Sequence, residues 1–292
     1  VFSTMIPQTK KYHIVTVHYG ESLPTKTLVE QLLHSQRLPD RIIVVDHGPA
    51  SLPDFWGDKR VAIIRPARNA GYAGGVNFGL GFLLGQRTSR SDIVILLNND
   101  SEVSPDTVEK VIAWWQTNPA PAIAGIKLGQ VNLVTGRTTI DSKLSASTAD
   151  PPKWWAASRF HLTYLHGSFL SAPLNTFLTL QGLPNHFFMY WEDVLFSLRA
   201  RQMGIPLKVI SGLPVTHDDA PPSQSDSDHL YYLVRNGAMF LQSNSPRPWR
   251  WLWRLLNLLR LIYHNLQPAS PSVRTIRQAL RDAVLHRTGQ RP

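Results

Sequence analysis

The order of apolar and polar positions predicts alternating strands and helices in the amino-terminal half of the chain. Short apolar runs without polar alternation, typical of strands covered on both faces, occur at 12–17, 41–45, 61–64, 92–97 and 122–126. Segments with helix-like spacing of apolar residues lie at 25–36, at about 74–85 and at 104–116, where Ser104 is expected as the N-cap and Pro105 as the first helical residue. This alternation predicts an α/β fold with a mostly parallel sheet and flanking helices.

The pattern is weaker in the carboxyl-terminal half. Residues 129–141 suggest a β-hairpin, 147–155 a loop, and 220–228 a polar, proline-rich loop. A helix is expected from Glu192 to Gly204, followed by a strand at 205–210.

Polar residues follow three of the predicted strands, where ligands bind in open parallel sheets. They are Asp46, the segment 65–75 "RPARNAGYAGG", and "NND" at 98–100. Because side chains alternate along an extended chain, Asn98 and Asp100 are expected to point to one side. Asn and Asp are also common in turns, so a purely structural role stays open for "NND". The glycine-rich segment matches neither the GxGxxG motif nor the P-loop motif. Because the three segments follow strands that end at one edge of the sheet, we expect a nucleotide in the crevice between them.

Two further sets of residues could take part in chemistry. Glu192 and Asp193 begin a predicted helix, where negative charge is favourable in any case, but the aromatic run 187–191 would shield a carboxylate from water and raise its proton affinity. His217 follows a short strand, where a lone histidine is more often structural. Asp100 and His217 together would be enough for a divalent cation that also binds a diphosphate.

Composition narrows the possible classes of protein. The 292 residues, 43% of them apolar, allow one large globular domain with an appendage. The absence of cysteine excludes disulfides, thiolate zinc sites and a cysteine nucleophile. We find neither a secretory signal nor a run of ~18–20 apolar residues that would span a bilayer, and therefore expect a cytoplasmic protein.

Most of the net charge of +10 lies in the last 47 residues, which contain nine arginines and only one acidic residue, Asp282. We therefore predict a main domain at 1–245, with no nucleic-acid partner, and a basic helical tail at 246–292. In 246–266, Arg250, Arg254, Asn257 and His264 recur at helical spacing among Trp, Leu and Ile. This pattern is typical of an amphipathic helix on an anionic membrane surface. The alternative is a helix packed on the domain or in a homo-oligomer.

The motifs occur in an order that resembles a known family. "VVDHG", "RNAGYAGGVNFG", "LLNND", "HGSFL", "FFMYWEDVLFSLRA", "VTH" and "YYLVRN" resemble, in sequence and spacing, the inverting glycosyltransferases of family 2, particularly the bacterial rhamnosyltransferase-like branch. The resemblance spans about residues 12–241. It implies a GT-A fold, a nucleoside-diphosphate-sugar donor and a divalent metal, Mg²⁺ or Mn²⁺.

The same resemblance implies roles for individual residues. Nucleotide-sugar binding is implied for Asp46 (at the base), Arg68, Asn69, Gly75, Asn98, Asn99, Asp100, Arg235 and Asn236, the last two beside the diphosphate. Metal binding is implied for Asp100 and His217. Asp193 would be the catalytic base, with Glu192, Trp191 and Gly167 at the acceptor. The sequence departs from the family pattern at "VHYG" and "LQGLPNHFF", which weakens the correspondence there.

These inferences predict an inverting, metal-dependent glycosyltransferase that acts at the inner face of the cell membrane. Its acceptor would be a hydroxyl of a saccharide or lipid-linked glycan in cell-envelope or exopolysaccharide synthesis. Two alternatives remain. A sugar-nucleotide pyrophosphorylase would have a glycine-rich segment with a basic residue after the first strand, which is missing here. A non-enzymatic membrane or nucleic-acid adaptor would release no nucleotide.

Overall fold

The computed structural model describes residues 11–54, 56–118, 121–141, 160–213, 215–217 and 227–291. The strands are β1 (Tyr12–His18), β2 (Arg41–Asp46), β3 (Val61–Ile64), β4 (Ile93–Asn98), β5 (Ser101–Val103), β6 (Ile123–Gly125), β7 (Leu128–Asn132), β8 (Thr138–Asp141), β9 (His161–Leu165), β10 (Phe169–Pro173), β11 (Leu207–Val209) and β12 (Val215–His217). The helices are α1 (Ser22–Leu33), α2 (Gly71–Gly85), α3 (Thr107–Thr117), α4 (Leu174–Thr179), α5 (Glu192–Gln202), α6 (Ser227–Asn244), α7 (Trp249–Leu266) and α8 (Pro271–Val284). A single 3₁₀ turn covers Asn185–Phe187 among the described residues.

A seven-stranded sheet in the order β11-β6-β10-β4-β1-β2-β3 forms the centre of the molecule. Its strands run parallel except β10, which pairs antiparallel with both β4 and β6. The predicted α/β fold with a mostly parallel sheet is therefore confirmed. The apolar runs form strands because both faces are covered: β1, β2 and β4 are buried along almost their whole length.

Three predicted helix starts differ from the structure, and α2 begins at Gly71 instead of about residue 74. Helix α1 begins three residues earlier than expected, at Ser22. Helix α3 begins at Thr107 with Asp106 as its N-cap, because the hydroxyl of Ser104 donates to the Asp106 carboxylate instead of capping the helix. Helix α2 lies close against the sheet, since a Cβ at Gly79 would come within 2.6 Å of Val15.

Two smaller antiparallel sheets flank the central one. The predicted hairpin is present as β7 and β8, and β9 pairs with the other edge of β7. The other small sheet pairs β5 with β12, which sets the backbone of His217 opposite Ser101. The loop predicted at 147–155 lies outside the described residues, as do 220–226 of the predicted polar segment.

The carboxyl-terminal helices pack on the rest of the protein through a second hydrophobic core. Trp253 of α7 and Leu280 of α8 are buried there together with Phe240 of α6. The hydroxyl of Tyr231 also donates to Asp282 at 2.7 Å, which joins α6 to α8. The domain boundary predicted near residue 245 stays a prediction. No helix in the described ranges is both long and apolar enough to cross a bilayer.

Candidate active site

A cavity of about 1180 Å³ opens at the carboxyl ends of β1 and β4. Eight of the residues expected in the site line it: Asn69, Asn98, Asn99, Asp100, Gly167, Trp191, Glu192 and Asp193. Of the other six, five do not line it, namely Asp46, Arg68, Gly75, Arg235 and Asn236. The side chain of His217 lies outside the described part of the structure. Asp100 and Asp193, which lie far apart in the sequence, thus share one cavity.

The "NND" segment forms one edge of this cavity. The backbone amide of Asn98 donates to Ser168 O at 3.2 Å, and the side-chain amide of Asn99 donates to the hydroxyl of Thr25 at 3.1 Å. Asp100 is exposed at the cavity edge. Strand β4 ends at Asn98, and Asn99 and Asp100 form a turn, so the alternation expected for an extended chain does not apply to them. All three residues line the cavity.

The segment offers ligands suited to a divalent cation. Carboxylate oxygen is the ligand that Mg²⁺ and Mn²⁺ prefer, and Asp100 provides one, while β12 brings the backbone of His217 beside the residue after Asp100. No group of three or more His, Asp or Glu residues that could hold a metal occurs among the described residues. This donor set fits a cation that takes most of its ligands from a bound diphosphate and water.

Glu192 and Asp193 begin α5 and are held differently. Asp193 accepts hydrogen bonds from the amides of Gly167 at 3.0 Å and Val194 at 2.8 Å. Glu192 is 7% exposed, and its Oε2 is buried without a hydrogen-bond partner. Burial raises the pKa of both carboxyls, and the negative charge of Asp193 raises the pKa of Glu192 further. Because the amides of Gly167 and Val194 stabilise the charge of Asp193 while Oε2 of Glu192 has no donor, Glu192 holds a proton more tightly than Asp193 does.

Tyr72 is a half-buried residue that lines the cavity. Its hydroxyl donates to Gly167 O at 3.1 Å, next to the amide that binds Asp193. Burial raises the pKa of Tyr72, and the carboxylates of Glu192, Asp193 and Asp100 raise it further. All three carboxylates therefore lie near enough to influence one hydroxyl.

The chain approaches Asp193 through a strained segment. Phe188, Tyr190 and Trp191 have φ values of 71°, 62° and 72°, in the left-handed region that non-glycine residues rarely adopt. Gly71 packs against this segment with φ of 74°, where a Cβ would collide with the carbonyl oxygen of Phe188. Such conformations persist only where the surrounding structure enforces them.

Arg235 and Asn236 of α6 hold this segment in place by donating hydrogen bonds to its backbone carbonyls. The Asn236 side-chain amide donates to Phe187 O at 3.0 Å, Met189 O at 2.6 Å and Tyr190 O at 3.1 Å. The Arg235 guanidinium donates to Phe187 O at 2.7 Å. The two side chains are only 1% and 0% exposed. This differs from the expected diphosphate contact, since both support the segment that leads to Asp193 and neither reaches the cavity surface.

Asp46 does not line the cavity, although the next residue, His47, does. The Asp46 carboxylate accepts the amides of Gly48 and Leu52, each at 2.8 Å, and the Arg65 guanidinium at 2.7 Å. Burial alone would raise the pKa of Asp46, but the two amides and Arg65 hold it below its usual value. Asp46 thus fixes the loop after β2, while Gly75 packs within α2 against Val17 and Arg68 is exposed. None of these three residues lines the cavity, so their predicted contact with the nucleotide stays a prediction.

Several residues that line the cavity were not identified from the sequence. Tyr72 and His166 lie within motifs that carry the resemblance, and Tyr164 lies two residues before one of them. The position of Tyr72 among glycines was the available signal. Gln278 and Arg291 come from the tail and had no signal, because they reach the cavity only through tertiary packing. Arg291 bridges Asp228 of α6 at 2.7 Å and Gln278 of α8 at 2.8 Å.

Comparison with known proteins identifies the family. The model of the family described as "Glycosyl transferase family 2" matches residues 13–196, which is more than half of the chain. The chain belongs to glycosyl transferase family 2. A relative of this transferase is the low-salt glycan biosynthesis hexosyltransferase Agl10 of Haloferax volcanii, 24% identical over 240 residues that cover 80% of this chain and 75% of the relative.

Solved structures with a similar fold bind nucleotide sugars. The mannosyltransferase PcManGT from Pyrobaculum calidifontis, solved with GDP-Man and Mn²⁺, superposes with a TM-score of 0.54 at 13% identity, covering 95% of this chain and 86% of that one. TarS 1-349 of S. aureus, solved with UDP-GlcNAc, has a TM-score of 0.52 at 12% identity, covering 95% and 92%. These likenesses show that the transferase has the GT-A fold, as the sequence resemblance implied.

Proposed function

We propose that the transferase moves a hexose from a nucleoside-diphosphate sugar to an acceptor hydroxyl with inversion at the anomeric carbon. The observation that carries this proposal is the shared cavity, which brings the "NND" edge opposite the carboxylate of Asp193. The nucleotide sugars bound to PcManGT and TarS support the donor class. Sequence resemblance favours rhamnose as the sugar, and the relative from Haloferax supports a role in glycan synthesis.

The base of the reaction is Asp193. Its Oδ2 atom is fixed by the Gly167 amide, so the carboxylate keeps one orientation toward the cavity. Asp193 removes the proton from the acceptor hydroxyl while that oxygen attacks the anomeric carbon, and the sugar–phosphate bond breaks on the opposite face. Glu192, protonated in the same buried site, donates a hydrogen bond to the acceptor and adds no second negative charge.

The leaving diphosphate lies at the "NND" edge. Asp100 and His217 would hold a divalent cation there, Mg²⁺ or Mn²⁺, which neutralises negative charge on the departing group when it is bound. Asn98 lies beside Asp100 and donates to ribose or phosphate oxygens. Trp191 and the other cavity aromatics exclude water from the acceptor side, which limits donor hydrolysis.

The acceptor is a saccharide or a lipid-linked glycan used in building the cell envelope or an exopolysaccharide. We place the protein in the cytoplasm at the inner face of the membrane, held there by helix α7. Eight large apolar side chains of α7 are exposed, from Trp251 to Leu266. A homo-oligomer that covers the same face is the competing arrangement.

Replacing the base tests this mechanism. We expect Asp193→Asn to lower the release of nucleoside diphosphate by about 10²- to 10⁴-fold, the usual contribution of base assistance, and to leave donor affinity in calorimetry unchanged. Asp54→Asn removes an exposed carboxylate from another loop and should behave like the wild type. Loss of donor binding together with turnover in Asp193→Asn would contradict the assignment.

A screen of nucleotide sugars separates the competing functions. With an acceptor glycan present, a transferase releases a nucleoside diphosphate, a pyrophosphorylase consumes pyrophosphate to form a nucleoside triphosphate, and an adaptor releases nothing. We expect EDTA to stop the release and Mg²⁺ or Mn²⁺ to restore it. The anomeric configuration of the product, read by NMR, distinguishes inversion from retention.

A further inference from the structure

A second, smaller cavity of about 360 Å³ lies on helix α8. We call it the arginine pocket, and its walls are Arg274, Arg277, Gln278, Arg281, Asp282 and Arg287. Four guanidinium groups therefore surround a space with one carboxylate. Arg274, Arg277 and Arg281 recur at helical spacing on one side of α8, and Arg287 comes from the segment after the helix.

The positive charge of the arginine pocket is only partly compensated within the protein. Asp282 is 2% exposed and is shared between Arg287, at 3.4 Å, and the hydroxyl of Tyr231. Arg277 donates through Nη2 to His264 O at 2.8 Å, but its Nε is buried and has no acceptor. Within the described ranges, the guanidinium groups of Arg274 and Arg281 have no hydrogen-bond acceptor and no ion-pair partner. Like charges held together in this way favour an anionic ligand.

The surface next to the arginine pocket is apolar. The exposed large side chains of α7 are Trp251, Leu252, Leu255, Leu258, Leu259, Ile262, Tyr263 and Leu266. Asn257, expected on the outer polar stripe, is instead fully buried and donates to Gln242. Helix α7 thus directs its most apolar side outward, and its sequence contains arginines but no acid.

These two features adjoin each other. The bond from Arg277 to His264 O joins the pocket to the last turn of α7. Gln278 lines both the arginine pocket and the catalytic cavity, so the pocket borders the cavity wall formed by the tail.

We propose that the arginine pocket binds the phosphate group of an anionic membrane lipid while the exposed face of α7 lies among the neighbouring acyl chains. Guanidinium groups match phosphate oxygens in bidentate geometry, and an apolar helix face beside arginines is the arrangement of interfacial helices. Because α7 contains arginines and no acidic residue, it favours an anionic surface over a basic partner. This inference extends the membrane contact proposed above and does not depend on the transfer reaction.

Flotation with vesicles tests the arginine pocket in the full-length chain. The variant Arg274→Gln/Arg281→Gln removes two exposed charges of the pocket, and Arg87→Gln/Arg90→Gln removes two exposed charges from the loop before β4. We expect wild type to bind phosphatidylcholine vesicles that contain phosphatidylglycerol, and the pocket variant to bind them about 30-fold more weakly, or roughly fivefold for each arginine. The control variant should bind like the wild type. Equal binding by the pocket variant, or an equal loss in the control, would overturn the proposal.

Two further experiments identify the source of the phosphate group and the role of α7. At matched ionic strength, inorganic phosphate should displace the protein from these vesicles more effectively than sodium chloride does. Leu255→Ser/Leu259→Ser should also weaken vesicle binding, because both side chains are exposed on α7. Binding of free phosphate without any vesicle binding would reject the lipid, and a stable dimer through α7 that ignores vesicles would reject the membrane.

The outcome is separable from that of the transfer reaction. Asp193→Asn should float with vesicles like the wild type, and the pocket variant should release nucleoside diphosphate from a soluble donor at the wild-type rate. A pocket variant that loses both properties would show a general structural defect and contradict the proposal.

Discussion

At the scale of single residues, hydrogen bonding separates the roles of two adjacent carboxylates. Glu192 and Asp193 share one buried site, but two backbone amides stabilise the negative charge of Asp193 and no donor reaches Oε2 of Glu192. Two close carboxylates in a water-poor site cannot both ionise cheaply, so one keeps its proton. We therefore expect the proton on Glu192, which would leave Asp193 ionised and able to act as the proposed base.

The raised pKa of Glu192 makes its contribution to stability depend on pH. Burial raises this pKa first and the charge of Asp193 second, so the folded protein binds the proton more tightly than the unfolded chain. The stabilisation is complete below the pKa that Glu192 has in the unfolded chain. It is lost as the pH rises through the pKa that Glu192 has in the folded protein. Glu192→Gln imitates the neutral acid at every pH, and we expect it to gain at least about 1 kcal/mol over the wild type between mildly acidic and mildly alkaline pH.

Urea unfolding at several pH values measures this difference. Glu109→Gln is the control, because Glu109 is an exposed residue of α3, and its stability relative to the wild type should not change with pH. A constant difference between Glu192→Gln and the wild type across the pH range would contradict a raised pKa at Glu192.

At the scale of elements, α6 determines the shape of the segment that precedes α5, the helix of the proposed base. Three left-handed residues between 188 and 191 would be unstable alone, at a cost of roughly 1–3 kcal/mol each. The amide of Asn236 binds three of the backbone carbonyls in this segment. Gly237 adds space, since a Cβ there would come within 2.9 Å of the Trp191 ring.

Removing the Asn236 amide should release this segment. We expect Asn236→Ala to lower the free energy of unfolding by about 2–4 kcal/mol, at roughly 1 kcal/mol for each hydrogen bond lost, and to reduce kcat because Asp193 loses its fixed position. Asn265→Ala on the exposed side of α7 is the matched control and should stay within about 0.5 kcal/mol. Denaturant unfolding and steady-state kinetics measure the two effects. A destabilised Asn236→Ala enzyme with unchanged kcat would show that the segment does not position the base.

The sequence predicts those parts of the site that depend on local pattern. Apolar runs locate the strands, and strand ends locate "NND", because the side chains at the end of a parallel strand face the crevice. Arg235 and Asn236 were assigned to the donor from motif similarity, and their true partners are carbonyls about 50 residues earlier in the chain. The approach of Arg291 to the cavity likewise depends on how α8 packs against α6. Contacts of this kind have no periodic signal in the sequence.

At the scale of the whole molecule, the tail is built into the fold. Leu280 is fully buried and Trp253 is 8% exposed in the core that also contains residues of β7 and α6. The tail backbone is fixed as well, since Gly289 donates to His186 O and accepts from Arg235, both at 2.8 Å. A chain that ended near residue 245 would leave this core open to water.

A core substitution in α8 distinguishes an integral tail from a separable one. We expect Leu280→Ala to lower the free energy of unfolding of the entire protein by about 2–5 kcal/mol, the usual effect of a cavity at a fully buried leucine, in one transition followed by both tryptophan fluorescence and loss of donor binding. Leu285→Ala, just after α8 and 52% exposed, should unfold with the wild type. If 1–245 is an independent domain, donor binding will instead persist to wild-type denaturant concentrations while the fluorescence of the tail tryptophans changes earlier. That result would establish the boundary near 245, because a domain that unfolds independently of α8 is not destabilised by a cavity at Leu280.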